Sequence, residues 1–180
     1  MTNIRPYLGT SPQIHPSAWI DESAVVIGDV TLGANSSIWP QAVARADVQS
    51  ITIGEFTNIQ DGSVLHVTHE HALSRAGGIP LTIGNYVTTG HKVLLHACTI
   101  GNYCLVGMGA IVMDDAVVED YVMIGAGSVV TPGKVLEAGH LYLGNPVRKK
   151  RELTDEERKF LEYAASHYAK VKDNHIASYE

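Results

Sequence analysis

The chain has 180 residues, 45% of them hydrophobic, and a formal net charge of −6. That length suits one sizeable domain. The acidic balance, with no block of five or six basic residues, argues against a nucleic-acid or anionic-membrane partner. Two cysteines, Cys98 and Cys104, lack a CxxC spacing; they give only a weak disulfide or metal signal and read as small residues filling a repeat.

The first ten residues show no charged segment followed by an apolar stretch, and nothing later approaches a membrane span, so a cytoplasmic address is expected. From Ile20 an aliphatic residue recurs every six positions: Val26, Leu32 and Ile38, then Ile53, Ile59 and Leu65, then Ile83 and Leu95, then Ile100 through Val130. Ala44 and Thr89 complete the series, and the fifth position of nearly every unit is Ala, Val, Ser, Thr or Cys. Six fits neither a helical period nor an unbroken alternating strand, whereas a short strand plus a bend repeats naturally at six. The second position is often Gly, as in Ile53-Gly54, Ile83-Gly84 and Ile100-Gly101, which suits short strands separated by corners. Over residues 14–147 the pattern Ile/Val/Leu-Gly-x-x-Ser/Thr/Ala/Val-x resembles the hexapeptide repeat of left-handed parallel β-helix proteins. That resemblance alone implies the handedness, and it implies three units per triangular coil.

Three irregularities interrupt the count: an extra three residues between Ala44 and Ile53, a long excursion between Leu65 and Ile83, and one residue missing between Leu95 and Ile100. Loops and sites belong at such breaks. Residues 131–151, with Pro132, Gly133, Gly139, Gly144 and Pro146, are expected to be a connector, and Lys149, Lys150 and Arg151 a solvated turn. Thr154 and Glu157 form a capping box, and Phe160, Ala164, Tyr168 and Val171 give the following helix one apolar face through about residue 173. The expected organisation is an all-β, left-handed β-helix over 1–150 with an inserted loop at 66–82, followed by a segment, 151–180, whose helix packs on the coils. Tyr163, His167 and Tyr168 are assigned packing or surface roles.

Side chains beside an inward aliphatic residue point outward. Counting faces in threes puts the units starting at Ala44, Leu65 and Leu95 on one face, so Arg45, His66 and His96 form a vertical column. Adjacent coils stack at about 4.8 Å, which lets the two imidazoles meet a common ion. The same count sets Asp61 beneath His91, and Gln60 beneath Gly90, at the corner leading into that face. Three neutral imidazoles leave a tetrahedral zinc ion one open position for water, whose pKa falls towards about 7. Zn2+ is the expected ion, with Fe2+ or Co2+ also suited to the donors.

Taken together, Arg45-x-Asp47, Gln60-Asp61-Gly62, His66 and Gly90-His91-x4-His96 resemble the motif set of the γ-class carbonic anhydrases, in particular their short bacterial branch. The resemblance implies a homotrimer with the metal between subunits, His66 and His96 coming from one chain and His91 from its neighbour. It implies reversible hydration of CO2 to bicarbonate by a metal-bound hydroxide. It further implies an Arg45–Asp47 ion pair supporting the interface, Gln60 orienting the reacting water or substrate, and Asp61 supporting a ligand. Val48 stands where better characterised members carry an acidic residue, so proton export falls to the excursion, with His71, His69 and Glu70 as candidate shuttles. Two other readings are a metal-dependent acyl-CoA thioesterase and a non-catalytic trimeric metal-binding or scaffold protein. A fourth, acyl transfer as in other hexapeptide proteins, sits poorly with three metal-type histidines.

Overall fold

A computed structural model describes residues 3–72 and 74–178; residues 1, 2, 73, 179 and 180, which fall in the expected β-helix domain, its loop and the C-terminal segment, lie outside the described residues. The chain coils into a parallel β-helix with three faces, followed by one helix. On the first face Val43, Val64, Leu94, Ile111 and Val129 are stacked partners in successive coils. On the second, Thr52, Thr82, Thr99, Val117 and Val135 are aligned. The third carries Ser37, Asn58, Thr88, Leu105 and Met123.

Most strands are two or three residues long because a corner follows at once. Left-handed residues stack at the corners, as at Phe56, Tyr86, Tyr103 and Tyr121 with φ between 51° and 56°. Those four rings also stack, with centroids 4.8 to 5.0 Å apart, which offsets the strain of a non-glycine residue in that region. The second-position glycines serve differently from the turn role the sequence suggests. A Cβ on Gly84 would lie 2.8 Å from the Gly101 carbonyl oxygen, and one on Gly33 2.6 Å from Gly54. Close stacking of coils, and not a positive φ, excludes a side chain there.

The core is the inward column of each face, with Ile53, Leu65, Ile83, Leu95, Ile100 and Ile124 at most 1% exposed. Cys98 and Cys104 are buried in it as small residues. At two irregularities the six-residue count slips. The extra residues after Ala44 make no loop; they run on as the 11-residue strand Val43–Ile53, which turns the corner between the first and second faces beside Val25–Leu32. Val48, a fifth-position residue by count, is therefore 44% exposed, and Ile51 is buried in its place. After His96 the missing residue puts Cys98 inside and Thr99 out.

The expected connector contains further strands: Val135–Leu136, His140–Leu143 and Arg148–Glu152, the last pairing antiparallel with the one before it. The basic run lies in that exposed last strand, with Lys149 paired to Glu137 at 2.6 Å and Arg151 to Glu157 at 2.7 Å. The helix spans Asp155–Ser178, longer than expected. Its capping box is reciprocal: Glu157 N–H donates to Thr154 Oγ1 at 3.2 Å, and Thr154 N–H to Glu157 Oε2 at 2.9 Å. Its buried residues are Leu161, Ala164, Ala165 and Lys172; of the expected face Ala164 is buried and Tyr168 packs inward, whereas Phe160 is 49% exposed and Leu161 takes its place. The helix packs on the third face. There Trp39 meets Tyr168 at 5.5 Å and His175 at 5.1 Å between ring centroids, and Lys172 Nζ donates to the Ser17 carbonyl at 3.1 Å.

Candidate metal centre

Parallel pairing of Val64–His66 with Leu94–His96 puts His66 directly beside His96, and Ala44 beside Leu65 brings Arg45 into the same column. His66 Nδ1 and His96 Nε2 face each other at 3.1 Å. Each ring's other nitrogen contacts a carboxylate: His66 Nε2 lies 3.1 Å from Asp47 Oδ1, and His96 Nδ1 3.0 Å from Asp114 Oδ2. Asp47 also pairs with Arg45, and Asp114 accepts the Thr68 hydroxyl.

Proton counting gives this row its chemical meaning. Three contacts in line, from Asp47 through both rings to Asp114, need three shared protons, and two neutral imidazoles carry only two. The central gap between the rings is therefore satisfied only by an added positive charge, either an extra proton or a metal ion. Burial lowers the pKa of His66 below its ordinary value, and the positive charge of Arg45 adds to this against the opposing hydrogen bond to Asp47. That discourages the extra proton and leaves ring lone pairs facing one another. A tetrahedral ion with bonds of about 2.05 Å separates neighbouring ligand nitrogens by roughly 3.3 Å, close to the 3.1 Å found. Carboxylates on the outer nitrogens are the usual supports of metal-binding histidines. Burial works to raise the carboxyl pKa of both aspartates. It is outweighed at Asp47 by bonds from Arg45 and His66, and at Asp114 by bonds from Thr68 and His96, so both stay ionised.

His91 lies elsewhere on the chain, at the corner before the first face, with Nδ1 2.9 Å from Asp61 Oδ2 and about half its surface exposed. Among the described residues no three His, Cys, Asp or Glu side chains of one chain gather to hold a metal ion. Gln60 is buried on the third face beneath the helix and donates from Nε2 to Asn58 Oδ1 at 3.0 Å. The Tyr168 phenol beside it is pushed up by burial and by the charge of Asp61, against a hydrogen bond from Gln60. These residues border a groove of about 390 Å³ that also takes in Thr88, Gly90, Leu105, Met108, Met123 and Phe160. The site residues thus form two groups: His66, His96, Arg45, Asp47 and Asp114 in one, His91, Asp61, Gln60 and Tyr168 in the other.

In the excursion, His69 and His71 are exposed, with ring centroids 5.2 Å apart, and Glu70 Oε2 accepts the Gly77 amide at 2.9 Å, which braces the loop. Burial pushes both thiols up, Cys104 to about 12.

Sequence reasoning missed Asp114 and Thr68. The signal was the residue missing after Leu95. Leu94 pairs with Ile111, 17 residues on, whereas Ile111 pairs with Val129, 18 on. Asp115 N–H donates to the Ala97 carbonyl at 2.8 Å, so Asp114 is the residue of the upper coil with no counterpart below. It occupies the space at the shortened corner, beside His96.

Residues 97–132 match the bacterial transferase hexapeptide (six repeats) model. The chain is 56% identical to protein YrdA of Escherichia coli K12 over 173 residues, covering 96% of this chain and 94% of that one. It is 40% identical over 167 residues to gamma carbonic anhydrase 1, mitochondrial, of Arabidopsis thaliana, covering 93% of this chain and 60% of the plant protein. The chain belongs to the γ-carbonic anhydrase-like family of hexapeptide-repeat proteins. A solved structure of a hexapeptide transferase family protein from Anaplasma phagocytophilum superposes with a TM-score of 0.88 at 43% identity, covering 95% of this chain and 96% of that one. Among the described residues no helix is long and apolar enough to cross a membrane.

Proposed function

We propose that this γ-carbonic anhydrase-like protein hydrates CO2 reversibly at a metal site shared between subunits of a homotrimer, with His66 and His96 from one chain and His91 from the next. The observation that carries the reading is the pair His66–His96, with nitrogens 3.1 Å apart and a carboxylate on the far side of each ring. Zinc is the ion we assign, and it supplies a Lewis acid that lowers the pKa of water towards about 7.

The chain's own residues do the rest. Asp47 and Asp114 hold the two rings so that one nitrogen of each faces the shared gap, and Asp61 does the same for His91. Gln60, fixed by Asn58, presents a polar amide beside His91 to orient water or bicarbonate. The groove beyond it, lined by Leu105, Met108 and Met123, offers a neutral, apolar substrate such as CO2 a dry approach. Protons leave through the excursion, where His69 and His71 are exposed.

Association of subunits has its own physical support. Val64 and Leu94, stacked beside the His66–His96 pair, are 40% and 37% exposed and lie in an aliphatic column with Val43, Ile111 and Val129. Such a stripe marks a surface meant to be covered. A closed ring brings one chain's corner, and not the same face, against its neighbour. The groove is larger than CO2 requires and favours one second reading, hydrolysis of an acyl thioester at the same site.

Stopped-flow CO2 hydration on protein of verified metal content tests the proposal. Turnover that disappears in a His96→Ala variant without bound metal supports it. Absent CO2 turnover alongside thioester hydrolysis selects the second reading, and neither activity with metal fully loaded leaves a non-catalytic binding protein.

A further inference from the structure

Immediately after His66 the chain leaves the coil and returns at Leu81 as a strap closed at its neck. Thr68 N–H donates to the Ile79 carbonyl at 3.1 Å, and Ile79 N–H donates back to the Thr68 carbonyl at 2.8 Å. The neck is tight. Gly78 has φ of +81°, and a Cβ there would lie 3.1 Å from His69 C and would also strike the Thr68 carbonyl oxygen. Thr68 is only 8% exposed, and its hydroxyl donates to Asp114 Oδ1, while Oδ2 of the same carboxylate meets His96 Nδ1. The main chain of Asp114 is held in turn, its carbonyl accepting the Gly133 amide at 2.9 Å.

A carboxylate engaged on both oxygens has no freedom left at its terminal torsion, so it fixes the plane of the imidazole it contacts. It also requires the His96 proton on Nδ1, which leaves Nε2 as the lone pair aimed at His66. We propose that Thr68 is a positioning residue for His96, acting through Asp114, so that the neck of the strap, closed by Thr68 and Ile79, sets the orientation of a metal-ligating ring. This rests on the reading of His66 and His96 as metal ligands. The strap is thereby joined to the site at two places, in sequence through His66 and in space through Thr68. A change in its neck reaches a ligand without any strap residue touching the ion.

The experiment compares Thr68→Val, Thr68→Ser and Asp114→Asn in the full-length protein, by Co2+ and Zn2+ titration and by 15N NMR of the His96 ring in metal-free protein. Thr68→Val keeps the shape of the side chain and removes only the donor. It should weaken metal binding about tenfold, the lower end of what loss of a ligand-supporting contact costs, and should mix the two His96 tautomers. Thr68→Ser should restore both. In the Asp114→Asn background Thr68→Val should add nothing. Gly78→Ala, which disturbs the neck while leaving the hydroxyl in place, should reproduce the metal defect, and this covers the case of a Thr68→Val protein that fails to fold.

Wild-type metal affinity and an unmixed tautomer in Thr68→Val, with Asp114→Asn weakened, would overturn the proposal. If His96→Ala binds Co2+ as the wild type does, the ligand reading itself fails. The tautomer measurement then decides the positioning role alone: a shift in Thr68→Val retains it, and no shift removes it.

Discussion

Each histidine of the candidate centre contacts a carboxylate through one ring nitrogen: His66 with Asp47, His96 with Asp114, His91 with Asp61. Three rings, two on one face and one at the corner before it, share one arrangement. The contact at His91 is the most accessible to experiment, since both partners are about half exposed and nothing in the core depends on them. Asp61→Asn should leave the thermal midpoint nearly unchanged and weaken metal affinity by about 10- to 100-fold, read by competition with a chelator. Unchanged affinity would remove Asp61 as the support of His91. The His66–His96 stack and the Asp61–His91 contact were legible in the sequence because repeat phase determines which residues stack, whereas the Arg45–Asp47 pair was legible only through the family resemblance. Asp114 was not, because it lies where the phase breaks. A shortened corner can be counted in a sequence, but which side chain fills the vacated space depends on how the next coil closes over it.

The coils and the helix illustrate how local chemistry sets each element. Gly54 follows an inward Ile53, and a Cβ there would come within 2.6 Å of the Gly84 carbonyl oxygen and strike Asn85 Oδ1. Gly54→Ala should therefore destabilise the protein by about 1–3 kcal/mol in urea unfolding, as overpacking does, although alanine is ordinarily the easier substitution. At the helix start, the hydrogen bonds from the Arg151 side chain and the Thr154 backbone hold Glu157 at a pKa of about 2, against an ordinary 4.5. A depressed carboxylate stabilises the fold above its unfolded pKa and loses that contribution as pH falls through the folded value. The stability difference between wild type and Glu157→Gln should thus be constant from pH 7 to about 5 and shrink between about 4.5 and 2, measured by thermal melts. The capping box was legible as Thr154 and Glu157, three residues apart. The start of the helix face was not, because Leu161 turns inward while Phe160, one residue before it, borders the groove.

At the scale of the whole molecule, the proposed function makes one chain the bearer of two incomplete halves of a site, His66 with His96 on a face and His91 with Gln60 around a corner. Hexapeptide periodicity made the β-helix legible, because six-residue units allow little else. The same periodicity concealed the 11-residue strand Val43–Ile53, where three extra residues extend a strand and do not form a loop. If the aliphatic column beside the histidines is the subunit contact, Leu94→Asp should yield a monomer by sedimentation and release metal in the same step, although Leu94 is no ligand. A monomer that retains metal would separate the two. Native mass spectrometry of the wild type and His91→Ala tests the shared centre most directly. The account predicts three chains carrying three metal ions for the wild type, and chains without metal for His91→Ala. A metal-loaded monomer, or full metal occupancy in His91→Ala, would contradict it.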